Sequence, residues 1–247
     1  MKKLTAILLM ALCAFTVFAG GASEDDGVYV FAADATWPPF EFVDENGNLT
    51  GFEVELMPLI GEHVGVEMVV ENIAWDTIFA GLANGQYDGV ASGVTVTEER
   101  KQTMDFSMPI ASQGQVVVVL QDSPIQSADD LNGKKVGVQI GTTGDFALDN
   151  YDVDRRQYDD IGLAIQDMIN GNLDACVCDS IIASDFVLAN ESYKGMLRVA
   201  GEPFTDEEIA IAVKKGNTEL LDLINQGLEA MMADGSFDEL KAKWNIL

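Results

Sequence analysis

The feature that most constrains the fold is an alternation of short β-rich runs with helical runs, which starts again partway along the chain. In the first series the runs lie at 28–34, 52–63, 68–73, 76–84 and 87–96. Strands that alternate with helices in this way form parallel sheets with crossover helices. The first part of the chain therefore predicts an α/β lobe.

A second series with the same order begins near residue 113. Strand-like runs at 113–120 and 134–140 precede a helical run whose apolar face carries Ile161, Ile165 and Met168. A short local echo supports the comparison, because NGQYDGVA in the first series corresponds to NGNLDACV in the second. In each, Asn-Gly ends a helix and a small, apolar strand follows. The sequence predicts two similarly built lobes.

The last part of the chain reads as a connection, a strand and a helix. The connection is GEPFTDEE at 201–208 and the strand is IAIAVKK at 209–215, while Gly235 closes a helix with the apolar stripe Leu220, Ile224, Leu228 and Met231. In the first helical run, Pro58 removes one backbone hydrogen bond, which predicts a kinked or shortened helix.

The first 22 residues have the order of a secretory signal: two lysines, an apolar core and then small residues. Cleavage is expected after Gly21 or Ala22. The alternative is a lipid anchor on Cys13, but this cysteine lies inside the apolar core and follows Leu12, where a small residue is expected. No later segment is long and apolar enough to span a bilayer. We expect a mature chain that is secreted across the inner membrane and is periplasmic or extracytoplasmic.

Charge excludes several classes of partner. The chain has 14 basic and 41 acidic residues and a formal net charge of -27. Loss of the two signal lysines would bring the charge to -29. A chain this acidic lacks the basic patches that nucleic acid and anionic lipid require, and it attracts cations.

The cysteine and histidine content argues against a cofactor or metal. Cys176 and Cys178 lie on the same face of a strand-like run, where a bond between them would be strained, so we expect two buried thiols. The single histidine, His63, lies in a helical run and is expected at the surface. A metal site or catalytic triad based on histidine is therefore not expected.

Candidate binding residues follow from the position of strand ends, because ligands of open α/β sheets lie beyond the carboxyl ends of the strands. In the first lobe these ends supply Asp34 and Trp37, then Trp75, then the segment from Ser92 to Arg100. In the second lobe they supply Gln139 to Gly144, with Thr142 and Thr143, and then Asp179.

Arg100 is expected in the first turn of a helix with Thr97 as its N-cap, so that an arginine fork and free amides together form a carboxylate site. The alternative is a surface arginine paired with Glu98 or Glu99. The loop GTTG at 141–144 leaves small residues at a second helix start, where amides can approach an anion or merely form a turn.

Asp179 ends a run of small and apolar residues, where an unpaired carboxylate is costly to bury. It therefore requires a cation such as an α-ammonium group, or else it caps the following helix. Trp37 and Trp75 are core residues or, together with Asp34, they hold a long cationic or amide side chain by stacking and a charged hydrogen bond.

Seven motifs in order, from Val28 to Trp244, resemble the extracytoplasmic solute-binding proteins of polar amino acid ABC uptake systems, the group that includes histidine-, glutamine- and arginine-binding proteins. The motifs are WPPFEF (37–42), GFEVEL (51–56), SGVTVTEERK (92–101), DFSMP (105–109), DDLNGKKVGVQIGTT (129–143), NGNLDACVCD (170–179) and DGSFDELKAKW (234–244). The chain departs from the family pattern at Glu98, where proline is frequent, and at Ile110, where tyrosine is frequent.

The resemblance implies a type II periplasmic-binding-protein-like α/β fold of two lobes, each a mostly parallel sheet flanked by helices and joined by two hinge strands. It implies a signal peptide at 1–22, a first lobe built from 23–112 and 204–247, and a second lobe at 113–203.

The resemblance also implies roles for the site residues. Arg100 would bind an α-carboxylate with help from backbone or hydroxyl groups of Thr95 and Thr143, and Asp179 would bind the α-amino group with the carbonyl of Gly93. The tryptophans Trp37 and Trp75 would stack on the ligand, and Asp34 and Gln139 would contact its side-chain end.

The resulting hypothesis is a monomeric receptor for a polar, basic L-amino acid, arginine or lysine, that closes on its ligand and delivers it to the membrane permease of an ABC importer. Asp34 and Gln139 would also fit a glutamine amide, and the aromatic pair would also fit histidine. Two other functions stay open from sequence: ligand sensing for a membrane receptor, and an enzyme that resembles cyclohexadienyl dehydratases, which needs a general acid and cationic groups for a second carboxylate.

Overall fold

The computed structural model describes residues 27–185 and 190–246, so the predicted signal segment lies outside the described residues. The first part of the chain forms β1 (Val28–Ala33), β2 (Thr36–Trp37), β3 (Glu41–Val43), β4 (Leu49–Thr50), α1 (Phe52–Val64), β5 (Glu67–Asn72), α2 (Trp75–Asn84), β6 (Gly89–Val90) and β7 (Met104–Phe106). The middle part forms β8 (Ala111–Gln113), β9 (Gln115–Leu120), β10 (Lys135–Gln139), α3 (Thr143–Ala147), β11 (Asp154–Tyr158), α4 (Ile161–Ile169), β12 (Ala175–Asp179), α5 (Ser180–Ser184) and β13 (Leu197–Ala200). The last part forms β14 (Glu207–Ile209), β15 (Ala212–Lys214), α6 (Thr218–Asp234) and α7 (Ser236–Lys243).

Two five-stranded sheets have matching strand order and directions. The order is β5-β1-β6-β15-β7 in the first lobe and β11-β10-β12-β9-β13 in the second. In each sheet the first three strands are parallel, and the fourth is antiparallel to both of its neighbours. All strands except the fourth therefore run in one direction, which confirms the predicted two-lobed α/β fold with mostly parallel sheets.

The sequence echo corresponds to a structural one. The helices α2 and α4 end at Asn-Gly pairs, and Gly85 and Gly171 both have positive φ, which glycine adopts without a Cβ penalty. The strands that follow, β6 and β12, occupy the third position of their sheets.

The chain passes between the lobes at a small antiparallel sheet. In this sheet β8 pairs with β14, so that Gln113 lies opposite Glu207 and Ala111 lies opposite Ile209. Each of these strands leads directly into the fourth strand of a lobe, β8 into β9 and β14 into β15. A buried apolar cluster continues through this region with Ile110 and Val116. The first predicted lobe boundary, 112/113, falls within β8, and the second, 203/204, falls three residues before β14; both boundaries stay predictions.

Three local expectations differ from the structure. The expected strand at 209–215 is split between β14 and β15, because the chain leaves the hinge sheet for the first lobe. The expected strand at 87–96 is reduced to Gly89–Val90, and the residues after it form a buried loop. Pro58 does not end α1, which has 13 residues in all and continues past the proline to Val64. It lies on the exposed side of the helix, where the carbonyl left without a partner can be hydrated.

The cysteine and histidine predictions are confirmed. Cys176 and Cys178 are free and buried on β12, and burial raises the pKa of both thiols. His63 is exposed on α1, with Nε2 2.9 Å from Asp234 Oδ2 on α6. Over residues 27–185 and 190–246, the structure contains no helix with the length and apolar character needed to cross a membrane.

Candidate ligand-binding site

A cavity of about 310 Å³ opens between the two lobes. Its walls come from the carboxyl ends of strands in both sheets, as expected for an open α/β architecture. The structure brings together every residue that the sequence placed in the site: Asp34, Trp37, Trp75, Ser92, Gly93, Thr95, Arg100, Gln139, Thr142, Thr143 and Asp179. Contact of each with a ligand stays a prediction.

One wall of the cavity is the loop that follows β6. Gly93 has φ +55°, and a Cβ there would lie 3.1 Å from the indole of Trp37, so glycine is required by both conformation and close approach. The hydroxyl of Ser92 accepts from the amide of Asp34 at 2.9 Å and donates to Glu41 Oε1 at 2.8 Å. These contacts hold the loop and the indole in fixed positions.

Two buried acids support this loop from behind. Glu41 on β3 and Glu53 on α1 are both fully buried, and Glu53 accepts from the amide of Gly93. Burial raises the pKa of Glu53 to about 7 and that of Glu41 well above its usual value, to which the neighbouring Glu53 adds. The pair therefore retains a proton at neutral pH.

Arg100 reaches the cavity from a single 3₁₀ turn, Arg100–Gln102, instead of the predicted α-helix. The N-cap position is occupied by Glu99 and not by the predicted Thr97, but Thr97 Oγ1 still accepts from the amide of Arg100 at 3.1 Å. Nη1 of the guanidinium donates to the carbonyl of Thr95 at 2.9 Å. The guanidinium carbon lies 5.5 Å from the ring centroid of Trp75 and 5.1 Å from that of Phe79. The fork is thus held between carbonyl and aromatic groups.

The alternative pairing of Arg100 with Glu98 is wrong. The side chain of Glu98 is 90% exposed and bonds Lys101 Nζ at 2.8 Å. Among the ion pairs formed by the described residues, none includes Arg100, and so none joins it to Glu99. Burial lowers the pKa of Arg100 to about 10, although nearby carboxylates oppose this shift. A desolvated guanidinium without an ion-pair partner favours an anion in the cavity.

Asp179 faces the same cavity from the second lobe. Asp179 occupies the N-cap position of α5, as the helix-cap alternative has it, but its side chain makes no capping hydrogen bond and accepts from Gln115 Nε2 instead. Burial raises the pKa of Asp179 to about 7, and the charge of Glu207 adds to the shift. A cation beside this carboxylate would lower its pKa again.

The part of the cavity around Asp34 and Gln139, called the side-chain end because the ligand side chain is expected there, presents acceptors. Asp34 is 7% exposed and accepts from Thr36 Oγ1 at 3.0 Å, the Trp75 amide at 3.2 Å and Gln139 Nε2 at 3.3 Å. Gln139 Nε2 also donates to the carbonyl of Asp159 at 3.0 Å. Because both partners of Nε2 are acceptors, the amide orientation is fixed, and Gln139 Oε1 is buried without a partner among residues 27–185 and 190–246.

A second, acidic cavity of about 530 Å³ adjoins this end. Asp34 and Trp75 line both cavities, and the second is also lined by Asp76, Asp159 and Asp160. Burial raises the pKa of Asp34, to which the charge of Asp160 contributes. The carboxylates draw positive charge toward the side-chain end of the site.

Three residues of the site region escaped the sequence reasoning. Glu207 accepts hydrogen bonds from the hydroxyls of Thr95 and Thr143, but it lies in a segment that reads as a connection. Gln115 begins a strand that reads as uniformly buried. Phe79 lies four residues after Trp75 on α2, a spacing that places the two rings on one helix face and would have indicated it.

Two lobes of matching topology, two hinge strands and a shared cavity with an unpaired guanidinium and a buried carboxylate define a ligand-binding protein of the cleft type. Residues 29–246 match the bacterial extracellular solute-binding proteins, family 3, and the chain belongs to this family. Its relatives are named for the amino acids they bind, and this chain is likewise an amino-acid-binding protein of the ABC transport family, not an enzyme.

The chain is 36% identical to the "Probable histidine-binding protein" of Neisseria gonorrhoeae over 257 residues, which cover 99% of this chain and 96% of that protein. It is 37% identical to the L-cystine-binding protein TcyJ of Escherichia coli K12 over 225 residues, 90% of this chain and 84% of that protein. Among solved structures, an ancestral arginine-binding protein bound to arginine has a TM-score of 0.83 and 39% identity, covering 88% of this chain and 98% of that chain.

Proposed function

We propose that this protein is an extracytoplasmic receptor for a basic L-amino acid, arginine or lysine. It binds the ligand between its lobes as a monomer and delivers it to the membrane permease of an ABC importer. The N-terminal segment at 1–22 directs its export. The family supports the general class, and the geometry of the cavity supports the choice of ligand.

Two charged groups that line the cavity, Arg100 and Asp179, match the two charges of an amino acid backbone. Arg100 has no ion-pair partner among the described residues, so its guanidinium is available for the α-carboxylate. Asp179 on the opposite lobe is available for the α-ammonium group. Because a ligand must bridge both lobes to satisfy both groups, binding favours the closed form.

The observation that carries the ligand assignment is the acceptor character of the cavity around Asp34 and Gln139. Gln139 Oε1 is buried and has no partner in the described residues, which is a costly arrangement unless a donor arrives. The carboxylate of Asp34 lies beside it, since Gln139 Nε2 bonds it. A guanidinium or ammonium group is a donor with positive charge and satisfies both.

The other candidate ligands fit this end less well. The distal half of L-cystine carries a carboxylate, which would approach the carboxylates of Asp34, Asp159 and Asp160. The glutamine amide carries a carbonyl oxygen, while the donor hydrogens of Gln139 are already placed on Asp34 and on the Asp159 carbonyl. Both ligands are therefore expected to bind more weakly than arginine or lysine.

Calorimetric titration of the mature protein, refolded from denaturant to remove bound ligand, tests this assignment. L-Arginine, L-lysine, L-histidine, L-glutamine and L-cystine are compared on the wild type and on Asp34→Asn. We expect arginine or lysine to bind most tightly and Asp34→Asn to weaken that ligand about tenfold to a hundredfold, with a smaller effect on glutamine.

The control is Asp76→Asn, which removes the same charge from the adjoining cavity but not from the main one. It should change arginine affinity only a few-fold. Tightest binding of histidine, glutamine or cystine by the wild type would contradict the basic ligand, and an equal effect of both substitutions would contradict the direct role of Asp34.

A further inference from the structure

A carboxylate in the hinge holds two threonines of the cavity. Glu207 lies on β14, and its Oε1 accepts from Thr205 Oγ1 at 2.7 Å. Its Oε2 accepts from Thr143 Oγ1 at 2.8 Å, from Thr95 Oγ1 at 3.0 Å and, more distantly, from Gln115 Nε2 at 3.3 Å. Both short contacts of Oε2 are therefore hydroxyl donors.

The two threonines come from different lobes and meet at this carboxylate. Thr95 follows β6 in the first lobe, and Thr143 begins α3 in the second. Their hydroxyl oxygens lie 3.4 Å apart, and both residues line the cavity. Glu207 is not among the lining residues, so it reaches a ligand only through the two hydroxyls.

The direction of these hydrogen bonds fixes what the hydroxyls offer to a ligand. A carboxylate only accepts, and each threonine hydroxyl has a single proton, so both protons point at Glu207. Thr143 Oγ1 also accepts from Gln115 Nε2 at 3.1 Å, which uses one of its two lone pairs. The groups that remain for the cavity are lone pairs, which accept from an ammonium group but cannot donate to a carboxylate.

We propose that Glu207 is a positioning residue that sets the polarity of Thr95 and Thr143, so that both accept from the α-ammonium group of the ligand alongside Asp179. This differs from one part of the sequence expectation, in which the hydroxyls of the two threonines help to bind the α-carboxylate; the backbone groups of the two residues remain available for it. The inference rests on the proposed function, because it requires an α-amino acid in this cavity, and it names how the ammonium end is recognised.

Three related ligands distinguish recognition of the ammonium group from a general contribution of Glu207 to ligand binding. L-Arginine has both backbone charges, agmatine lacks the α-carboxylate, and 5-guanidinopentanoate lacks the α-ammonium group. Their affinities for the wild type and Glu207→Gln are measured by calorimetry, with the weak ligands measured in competition with L-arginine. The amide nitrogen that this substitution introduces can donate to a threonine oxygen, which releases the hydroxyl proton toward the cavity.

We expect Glu207→Gln to lower the affinity for arginine and for agmatine about tenfold to a hundredfold, because both ligands bind through the ammonium group. The affinity for 5-guanidinopentanoate should be unchanged or higher. Thr143→Val, which deletes one hydroxyl, should show the same ligand pattern and serves as an independent variant if Glu207→Gln folds poorly. Circular dichroism and thermal unfolding report the folding of each variant.

The matched control is Glu208→Gln, the next residue of the same strand, whose side chain is exposed on the opposite face. It removes the same charge and should bind all three ligands like the wild type. If Glu207→Gln lowers the affinity for all three ligands equally, Glu207 acts by holding the two lobes together. If Glu208→Gln lowers the affinities as much as Glu207→Gln does, the effect is one of long-range charge. Either result contradicts the inference and leaves the proposed function standing. If the wild type fails to bind arginine, the proposed function fails, and the inference falls with it.

Discussion

Arg100 is the residue on which ligand binding should depend most. Its planar fork lies against the carbonyl of Thr95 and the rings of Trp75 and Phe79, a geometry that a compact ammonium group does not reproduce. Arg100→Lys should therefore weaken arginine binding by about 1.5–3 kcal/mol although the charge is retained, and Arg100→Ala should weaken it further. Calorimetry on folded variants measures both.

The neighbouring Lys101 supplies the control for that substitution. It is about half exposed, and its partner Glu98 is almost fully exposed, so Lys101→Ala removes one positive charge without touching the cavity. Surface pairs of this kind contribute little, and the affinity should stay within about twofold of the wild type. A similar loss in Lys101→Ala and Arg100→Lys would contradict a specific role for the fork.

Asp179 should make binding release protons. Burial raises the pKa of this carboxyl to about 7, so at pH 7 about half of the unliganded molecules carry the proton. An ammonium group at the carboxylate favours the charged form, so ligand binding expels about half a proton at pH 7. Below pH 7 the affinity should fall by up to about tenfold per pH unit, and above it the affinity should level off.

Titrations in two buffers of different ionisation enthalpy measure the protons released. Asp179→Asn has no titrating group at this position, and the release at pH 7 should largely disappear with it. Undiminished proton release in this variant would assign the titration to another group, of which Glu53 is the next candidate because burial raises its pKa to about 7 and it accepts from the amide of Gly93.

The arrangement of elements was largely predictable because each lobe repeats one local pattern. The strand and helix order, the Asn-Gly helix ends and the placement of Arg100 and Asp179 at strand ends all follow from periodicity and turn chemistry. Glu207 did not follow, because its role arises from pairing between β8 and β14, which are distant in sequence. The length of β6 was also not predictable from sequence, because the buried loop that follows it, at 91–95, is as apolar as a strand.

The contact of β3 and α1 should make stability depend on pH. In the unfolded chain glutamates titrate near 4.5, whereas in the folded chain the pKa of Glu53 is about 7 and that of Glu41 is well above its usual value. Between these values the native state holds more protons than the unfolded state, so the free energy of unfolding falls as the pH rises. From pH 5 to pH 8 the titration of Glu53 should lower the free energy of unfolding by on the order of 3 kcal/mol, and that of Glu41 should lower it in the same direction.

Glu41→Gln tests this linkage. The glutamine amide can donate to Glu53 at every pH, whereas the Glu41 carboxyl can donate to it only when protonated. The loss of stability from pH 5 to pH 8, measured by urea unfolding, should be distinctly smaller than in the wild type. Glu62→Gln, at an exposed position on α1, should keep the wild-type pH dependence. Equal pH dependence in Glu41→Gln and the wild type would show that the buried pair does not titrate in this range.

Across the whole molecule, the two lobes supply different parts of one ligand shell. Arg100 and Asp34 belong to the first lobe, and Asp179 and Gln139 belong to the second. In the part of the chain that the structure describes, the lobes are connected through the two short strands β8 and β14, so few covalent constraints oppose their relative movement. We therefore expect ligand binding and lobe closure to be one event, in which differential contact with the closed form shifts the population.

The overall charge should accelerate capture of a basic ligand. With 41 acidic and 14 basic residues, the chain attracts cations over distances that salt shortens, from about 30 Å at 0.01 M to about 8 Å at 0.15 M ionic strength. The association rate constant for arginine should fall several-fold between these two conditions, while the dissociation rate constant changes little. Stopped-flow fluorescence of the cavity tryptophans, Trp37 and Trp75, measures both.

A double variant identifies where this steering acts. Asp76 and Asp160 line the acidic cavity at the side-chain end but not the main cavity. Replacing both by asparagine should reduce the salt dependence of association and leave the dissociation rate constant nearly unchanged, because the contacts of the bound ligand remain. If the salt dependence persists undiminished, steering belongs to the molecule as a whole. If the salt dependence appears in dissociation instead, these two carboxylates contact the ligand directly.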